Sequence, residues 1–267
     1  MTTTARSRNS HRRGLVAAAL AAGGLAAISG CGSGGGGSTA GRSGTVAPPK
    51  TIRPASSTYD PRIDPADFTL EITNPYFSLR PGMVVIAKGF KDGVPQTHTT
   101  TVTNETKLIA GVRTRVIKDI VTTTGGELVE KVADWYAQDK RGNVWYFGES
   151  TADYEKGVVV STKGSWETGV DGAKPGIVMP AEPKPGPPFY SEYRPGVAED
   201  RAQVLRTDAT VKIPFGTFHK VVVVRDTNPL DPGLVSHKWY AKGTGIVRTK
   251  RVGSSHTEYT NLVSHKG

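Results

Sequence analysis

From Tyr59 onward, strand-length runs of Val, Thr and aromatic residues are cut by turn residues at short intervals, and no window sustains a 3.6-residue period. That combination argues against a helical bundle. It points to antiparallel neighbours, because a parallel crossover consumes a dozen or more residues. Candidate strands fall near 83–89, 97–103, 113–122, 127–138, 143–149, 158–162, 202–207, 217–226, 235–241, 245–252 and 256–263. Asp92-Gly93, Gly125-Gly126 and Arg141-Gly142-Asn143 supply hairpin turns, since Gly and Asn accept positive φ. The stretch 197–206 is ambiguous: Ala198, Ala202 and Leu205 share a helical side, and Glu199 and Asp200 suit a helix start. Strand is the preferred reading there. The expected fold class is all-β, a single curved antiparallel sheet or incomplete β-barrel with one long inserted loop at about 163–188.

Two stretches resemble each other. Gly111-Val112-Arg113-Thr114-Arg115-Val116-Ile117-Lys118-Asp119 precedes Asp134-Trp135-Tyr136-Ala137, and Gly216-Thr217-Phe218-His219-Lys220-Val221-Val222-Val223-Val224-Arg225-Asp226 precedes Lys238-Trp239-Tyr240-Ala241. Two copies of a strand–turn–strand unit would build the two halves of one curved sheet, although unrelated hairpins also look alike. Under either reading Trp135 and Trp239 serve the core.

The N-terminal part cannot join that sheet. Arg6, Arg8, Arg12 and Arg13 precede an Ala- and Gly-rich apolar run at 14–30, which ends Leu25-Ala26-Ala27-Ile28-Ser29-Gly30-Cys31. An aliphatic residue, two small ones and the chain's single cysteine (Ile28, Ser29, Gly30, Cys31) resemble the lipobox of bacterial lipoprotein precursors. The resemblance implies cleavage before Cys31, a lipid such as palmitate on its thiol, and residence on the extracytoplasmic face of the cell membrane. An uncleaved transmembrane anchor is the alternative, the run of about 17 residues lying at the short limit for a span. Arg12-Arg13-Gly14-Leu15-Val16 partly resembles a twin-arginine export signal, and an ordinary Sec signal fits equally.

After Cys31, a Gly/Ser- and then Pro-containing stretch is too poor in apolar residues to fold and reads as a disordered tether with a reach of about 30 Å. The expected division is signal peptide 1–30, lipidated Cys31 and tether 31–57, and one β domain 58–267.

Charge follows the same division. Seven of the ten net positive charges fall in residues 1–53, which hold no acid, leaving about +3 for the other 214. A nucleic-acid partner, which needs a basic face on the folded part, is therefore not expected. One cysteine permits no intrachain disulfide, so the domain must stand on its core.

No Gly-rich phosphate loop, HExxH or Gly-x-Ser-x-Gly elbow is present, and His98, His219, His237, His256 and His265 share no ligand spacing. No catalytic residue, metal or cofactor is assigned. The distinctive segment is Asn143-Val144-Trp145-Tyr146-Phe147-Gly148-Glu149 followed by Gly164-Ser165-Trp166-Glu167-Thr168-Gly169-Val170-Asp171-Gly172-Ala173-Lys174-Pro175-Gly176-Ile177-Val178-Met179-Pro180-Ala181. Over most of 68–250 the chain resembles an uncharacterised family of secreted bacterial β-sheet proteins carrying this signature. That resemblance implies a fold and a location without an activity. The Trp-Tyr-Ala and Gly-Thr-Gly-Ile-Val ending is similar to envelope β-proteins of the lipoprotein-carrier kind.

Gly164, Gly169, Gly172, Gly176, Pro175 and Pro180 fix a loop path, and long loops in compact domains are commonly functional. A cleft walled by Trp145, Tyr146 and Trp166, rimmed by Glu149, Glu167, Asp171 and Lys174, would suit a partly apolar small molecule or lipid. Alternatively the loop plugs the sheet, with Trp166 in the core and Asp171–Lys174 as a local ion pair. Arg248, Lys250 and Arg251 are expected to blunt an exposed edge. The leading functional expectation is a monomeric, membrane-tethered envelope lipoprotein that binds such a ligand. A secreted hydrolase using Glu149, Glu167 or Asp171, or an assembly lipoprotein contacting another envelope protein, are the alternatives.

Overall fold

A computed structural model of the chain describes residues 59–91, 93–253 and 258–267. The expected signal peptide, Cys31 and tether lie outside them. The described residues form β1 (Phe68–Thr69), β2 (Val84–Lys91), β3 (Val94–Ile109), β4 (Val112–Thr123), β5 (Leu128–Asp139), β6 (Val144–Glu155), β7 (Val158–Ser161) and β8 (Trp166–Glu167). They continue with β9 (Lys174–Met179), β10 (Phe189–Tyr190), β11 (Glu192–Tyr193), β12 (Arg201–Ile213), β13 (Gly216–Asn228), β14 (Asp231–Ala241), β15 (Gly245–Val252) and β16 (Tyr259–Lys266). A single turn of 3-10 helix, Pro65–Asp67, accompanies them, and among the described residues no helix is long and apolar enough to cross a membrane.

The fold is all-β, one antiparallel sheet nearly closed into a barrel. Its order is β10-β12-β13-β14-β15-β16-β2-β3-β4-β5-β6-β9-β11. The two ends of that order are neighbours in sequence. β10 pairs with β12 (Phe189↔Ala202) and β11 pairs with β9 (Glu192↔Pro175), with only Ser191 between them. One extended segment thus bridges the seam. Much of the expected long loop belongs to the sheet, since β8 and β9 both pair with β6. The stretch 197–206 holds no helix and runs into β12. β15 lies between β14 and β16, so Arg248 and Arg251 do not guard an edge. Arg248 Nε instead donates to Asn261 Oδ1 (2.8 Å), and Arg251 pairs with Glu258 (3.1 Å).

The internal repeat is visible in the register. In the first half Val116 faces Trp135 and Ile117 faces Asp134; in the second Val223 faces Trp239 and Val224 faces Lys238. Each Trp-Tyr dipeptide meets a β-bulge on the next strand. Trp135 pairs with Gly148 but Tyr136 with Tyr146, and Trp239 pairs with Arg248 but Tyr240 with Ile246. The extra residue breaks the alternation, so Tyr146 and Glu149 both point inward although three positions apart. Gly148 is needed at the first bulge. It has φ 134°, and a Cβ there would lie 2.2 Å from the carbonyl oxygen of Trp166.

Apolar side chains fill one half of the interior, among them Val102, Ile117, Tyr136, Tyr146, Val222, Tyr240 and Leu262. The segment 72–83 caps that end. Backbone N–H groups of Thr73 and Asn74 donate to Gln138 Oε1, and Gly243 N–H donates to the Pro75 carbonyl across the barrel. Phe77 inserts between Tyr136 and Tyr240, with ring centroids 5.4 and 6.3 Å away. Outside the barrel, Ile63 and Phe68 cover a second cluster of Val112, Val116, Trp135 and Phe147. Trp135 and Trp239 both pack against core clusters, as expected.

Candidate functional site

Alternation along β4, β5, β13 and β14 sends acids to the same side as core residues. Asp119 is in phase with Ile117 and Val121, Asp134 with Tyr136, Asp226 with Val224, and Lys238 with Tyr240. The interior therefore holds Asp119, Glu130, Asp134, Glu149, Glu192, Asp200 and Asp226 alongside Lys91 and Lys238, all buried. Buried charge without a partner is costly, and these groups either pair or keep their protons.

The links between them are specific. Thr100 Oγ1 donates a short hydrogen bond to Asp119 Oδ1. Asp119 and Asp134 act directly on each other, a contact that lowers the first carboxyl and raises the second. Tyr146 hydroxyl donates to Asp134 Oδ1 (2.5 Å), and its ring stacks on Tyr136 with centroids 4.6 Å apart. Glu149 is the direct cross-strand neighbour of Asp134. Trp166 Nε1 donates to Glu192 Oε2 (3.0 Å), Asn228 Nδ2 to Asp200 Oδ2 (3.2 Å), and Thr151 Oγ1 to Glu130 Oε1 (3.1 Å). Lys238 Nζ lies 2.9 Å from Asp226 Oδ2, with side chains 7% and 9% exposed.

Burial is the main force on every raised carboxyl. It pushes Asp119 up to about 6, held in check by its bonds to Thr100 and Asp134. Glu130 rises to about 7, limited by the Lys91 charge. Glu149 rises to about 8, helped by the charge of Glu130, and Asp200 to about 8, helped by Asp226. Asp134 and Glu192 are raised well above the ordinary range by burial and by neighbouring acids. Burial would lower the Lys238 ammonium, but the charge and hydrogen bond of Asp226 together with Tyr240 and Glu192 outweigh it, and the group stays protonated. His98 is lowered to about 4 by burial and by Lys91, which leaves a neutral ring.

No protein-family model matches the chain, and no curated protein matches it in sequence. Among solved structures, the chain is similar to a presumed exported protein with a YmcC-like fold from Bacteroides fragilis NCTC 9343. Identity is 15% over 72% of this chain and 99% of that chain, with a TM-score of 0.43. It is also similar to a presumed lipoprotein from Parabacteroides distasonis ATCC 8503, at 14% identity, the same coverages and a TM-score of 0.40.

Of the side chains that the sequence placed in one cleft, the fold brings Tyr146, Glu149 and Trp166 together inside the barrel. The others stand elsewhere. Trp145 lies on the outer face against Phe68, its Nε1 donating to Asp139 Oδ2 (2.9 Å). Glu167 accepts from Lys107 Nζ (2.7 Å), whose ammonium sits over the Trp135 ring. Asp171 pairs with Arg194 (2.7 Å) and Lys174 with Asp60 (2.6 Å), so the local Asp171–Lys174 pair does not form. Glu149 and Glu167, on paired strands, point to opposite faces. The acids outside the distinctive segment (Asp119, Glu130, Asp134, Glu192, Asp200 and Asp226) were not foreseen. The repeat carried a signal for Asp119 and Asp226, which stand at matching register positions in its two first strands.

Among the described residues, a recess borders this network. It holds a cavity of about 50 Å³ at the capped end, walled by Phe77, Leu79, Met83, Val85, Tyr136 and Ile246, with Thr100 and Asp119 among its lining.

Proposed function

We propose that the mature chain is a lipid-anchored binding module of the bacterial cell envelope, taking a partly apolar small molecule at the capped end of the barrel. The lipobox-like Ile28-Ser29-Gly30-Cys31 supports the anchor. The recess supports the binding role, because it joins apolar walls to a small number of polar groups at one point, the usual composition of a ligand site. Tyr146, Glu149 and Trp166 act behind it: Tyr146 stacks on the wall residue Tyr136, and Trp166 packs edge-on to Tyr146 (5.4 Å).

Native mass spectrometry of the chain extracted from its own membranes in mild detergent tests the binding role. A bound mass is expected whose buried end is no larger than the recess, and it should disappear in Met83→Trp, which fills the recess. A wild-type chain free of any bound mass would overturn the proposal. For the anchor, Cys31→Ala is expected to move the protein from the membrane to the soluble fraction. Full retention in the membrane would refute lipidation at that residue.

A further inference from the structure

We infer that the ligand of the recess carries a primary ammonium group, held by Asp119 and Thr100, on an apolar body. The inference rests on the binding reading above and goes beyond it in naming the ligand's chemistry. It comes from comparing the two halves of the barrel. Asp119 and Asp226 occupy matching positions, each two residues beyond the residue (Ile117 or Val224) that faces the inward group of the next strand. In the second half that inward group is Lys238, and its ammonium neutralises Asp226 at 2.9 Å. In the first half it is Asp134, a second acid. The buried lysine of the first half, Lys91, acts on Glu130 and His98, and the place that Lys238 takes in the second half is held by an acid.

The lone acid is also the one that a ligand can reach. Asp119 is 3% exposed, yet it lines the recess, whereas Asp134, Glu149 and Glu192 do not. Among the described residues its Oδ2 has no backbone, amide, ammonium or Ser/Thr/Tyr hydroxyl donor, and the group acting on it beside Thr100 is the Asp134 carboxyl. Thr100 spends its proton on Asp119, so its oxygen lone pairs are free to accept. An ammonium needs acceptors and an opposite charge when it leaves water, and both stand here side by side. The rings of Phe77 and Tyr136 in the same wall suit a cation as well as an alkyl chain. A carboxylate ligand would instead meet a ring of acids. A neutral alcohol would gain the walls but leave the charge of Asp119 unanswered.

The probes are n-hexylammonium, n-hexanol and n-hexanoate, titrated calorimetrically into the full mature chain at pH 7.5. Hexylammonium is expected to bind at least about tenfold more tightly than hexanol, a difference of about 1.4 kcal/mol, with no heat from hexanoate. Asp119→Asn, checked by its melting curve, should bring the two neutral-bodied probes to equal affinity. Equal binding of hexylammonium and hexanol to the wild-type chain would overturn the amine inference and leave the apolar recess standing. No binding of any probe would count against both readings. The wild-type comparison decides the question even if the variant fails to fold.

Discussion

Melted at pH 5 and at pH 8.5, the protein is expected to show midpoints that differ by about 10 °C or more, with the acidic sample the more stable. Six interior carboxyls (Asp119, Glu130, Asp134, Glu149, Glu192 and Asp200) are raised in the folded barrel, chiefly by burial. In the unfolded chain such groups lose their protons near pH 4. Below that pH both states are protonated and the fold keeps the full benefit of neutral acids. Above it the unfolded chain binds fewer protons, so stability falls by about 1.4 kcal/mol per pH unit for each proton the fold alone retains. The benefit is gone once pH passes the folded values, about 8 for Glu149 and Asp200. His98, lowered to about 4, and His237, also lowered by burial, work the other way and cost stability as pH drops below 6.5, but they are two groups against six. Glu149→Gln separates the effect from general alkaline weakness. The variant should melt about 5 °C above wild type at pH 8.5 and lose that advantage at pH 5. A midpoint that stays level or rises with pH would show that the interior acids are ionised and paired.

That pH response comes from residues only some of which are legible in the sequence. Alternation of Val, Thr and aromatic residues with turn glycines was enough to read an antiparallel curved sheet, because a side-chain period of two is a local property. The bulge at Phe147 was not legible. Simple alternation puts Trp145, Phe147 and Glu149 on one face, whereas the extra residue turns Glu149 in beside Asp134 and leaves Trp145 outside. The seam was hidden for a different reason. Glu192 is two residues from Tyr190 in sequence, but the two strands they occupy belong to opposite ends of the sheet order. Closure brings Glu192 to Trp166 and Asp200, and it depends on long-range pairing that no window contains. The glycines of 164–176 did mark an unusual backbone path. Gly176 is required because Ser191, in the seam segment, passes within 2.2 Å of where its Cβ would stand.

Replacing Lys238 with Met is expected to cost about 3–5 kcal/mol and to lower the melting midpoint by about 10 °C. Lys238 donates the ammonium that neutralises Asp226, and it also offsets the acids Glu192 and Asp200 across the interior. Met fills the same space, so little packing is lost and the change isolates the charge. With the ammonium gone, Asp226 must either stay ionised in a buried setting or take up a proton, and both outcomes cost free energy. Asp200 and Glu192 lose a cation that opposes their burial, so their carboxyls rise further and the loss of stability with pH should extend to higher pH in the variant. Asp226→Asn in the Lys238→Met background removes the orphaned charge and should recover more than half of the loss, and the double-mutant cycle measures the coupling directly. Lys184→Ala is the control. It breaks a 2.8 Å ion pair with Glu182 on the surface, where water already solvates both partners, and the midpoint should not move. Equal effects from the two lysine variants would mean that the Asp226–Lys238 pair is hydrated in solution, and the contrast between an answered and an unanswered acid in the two halves of the barrel would then lose its basis.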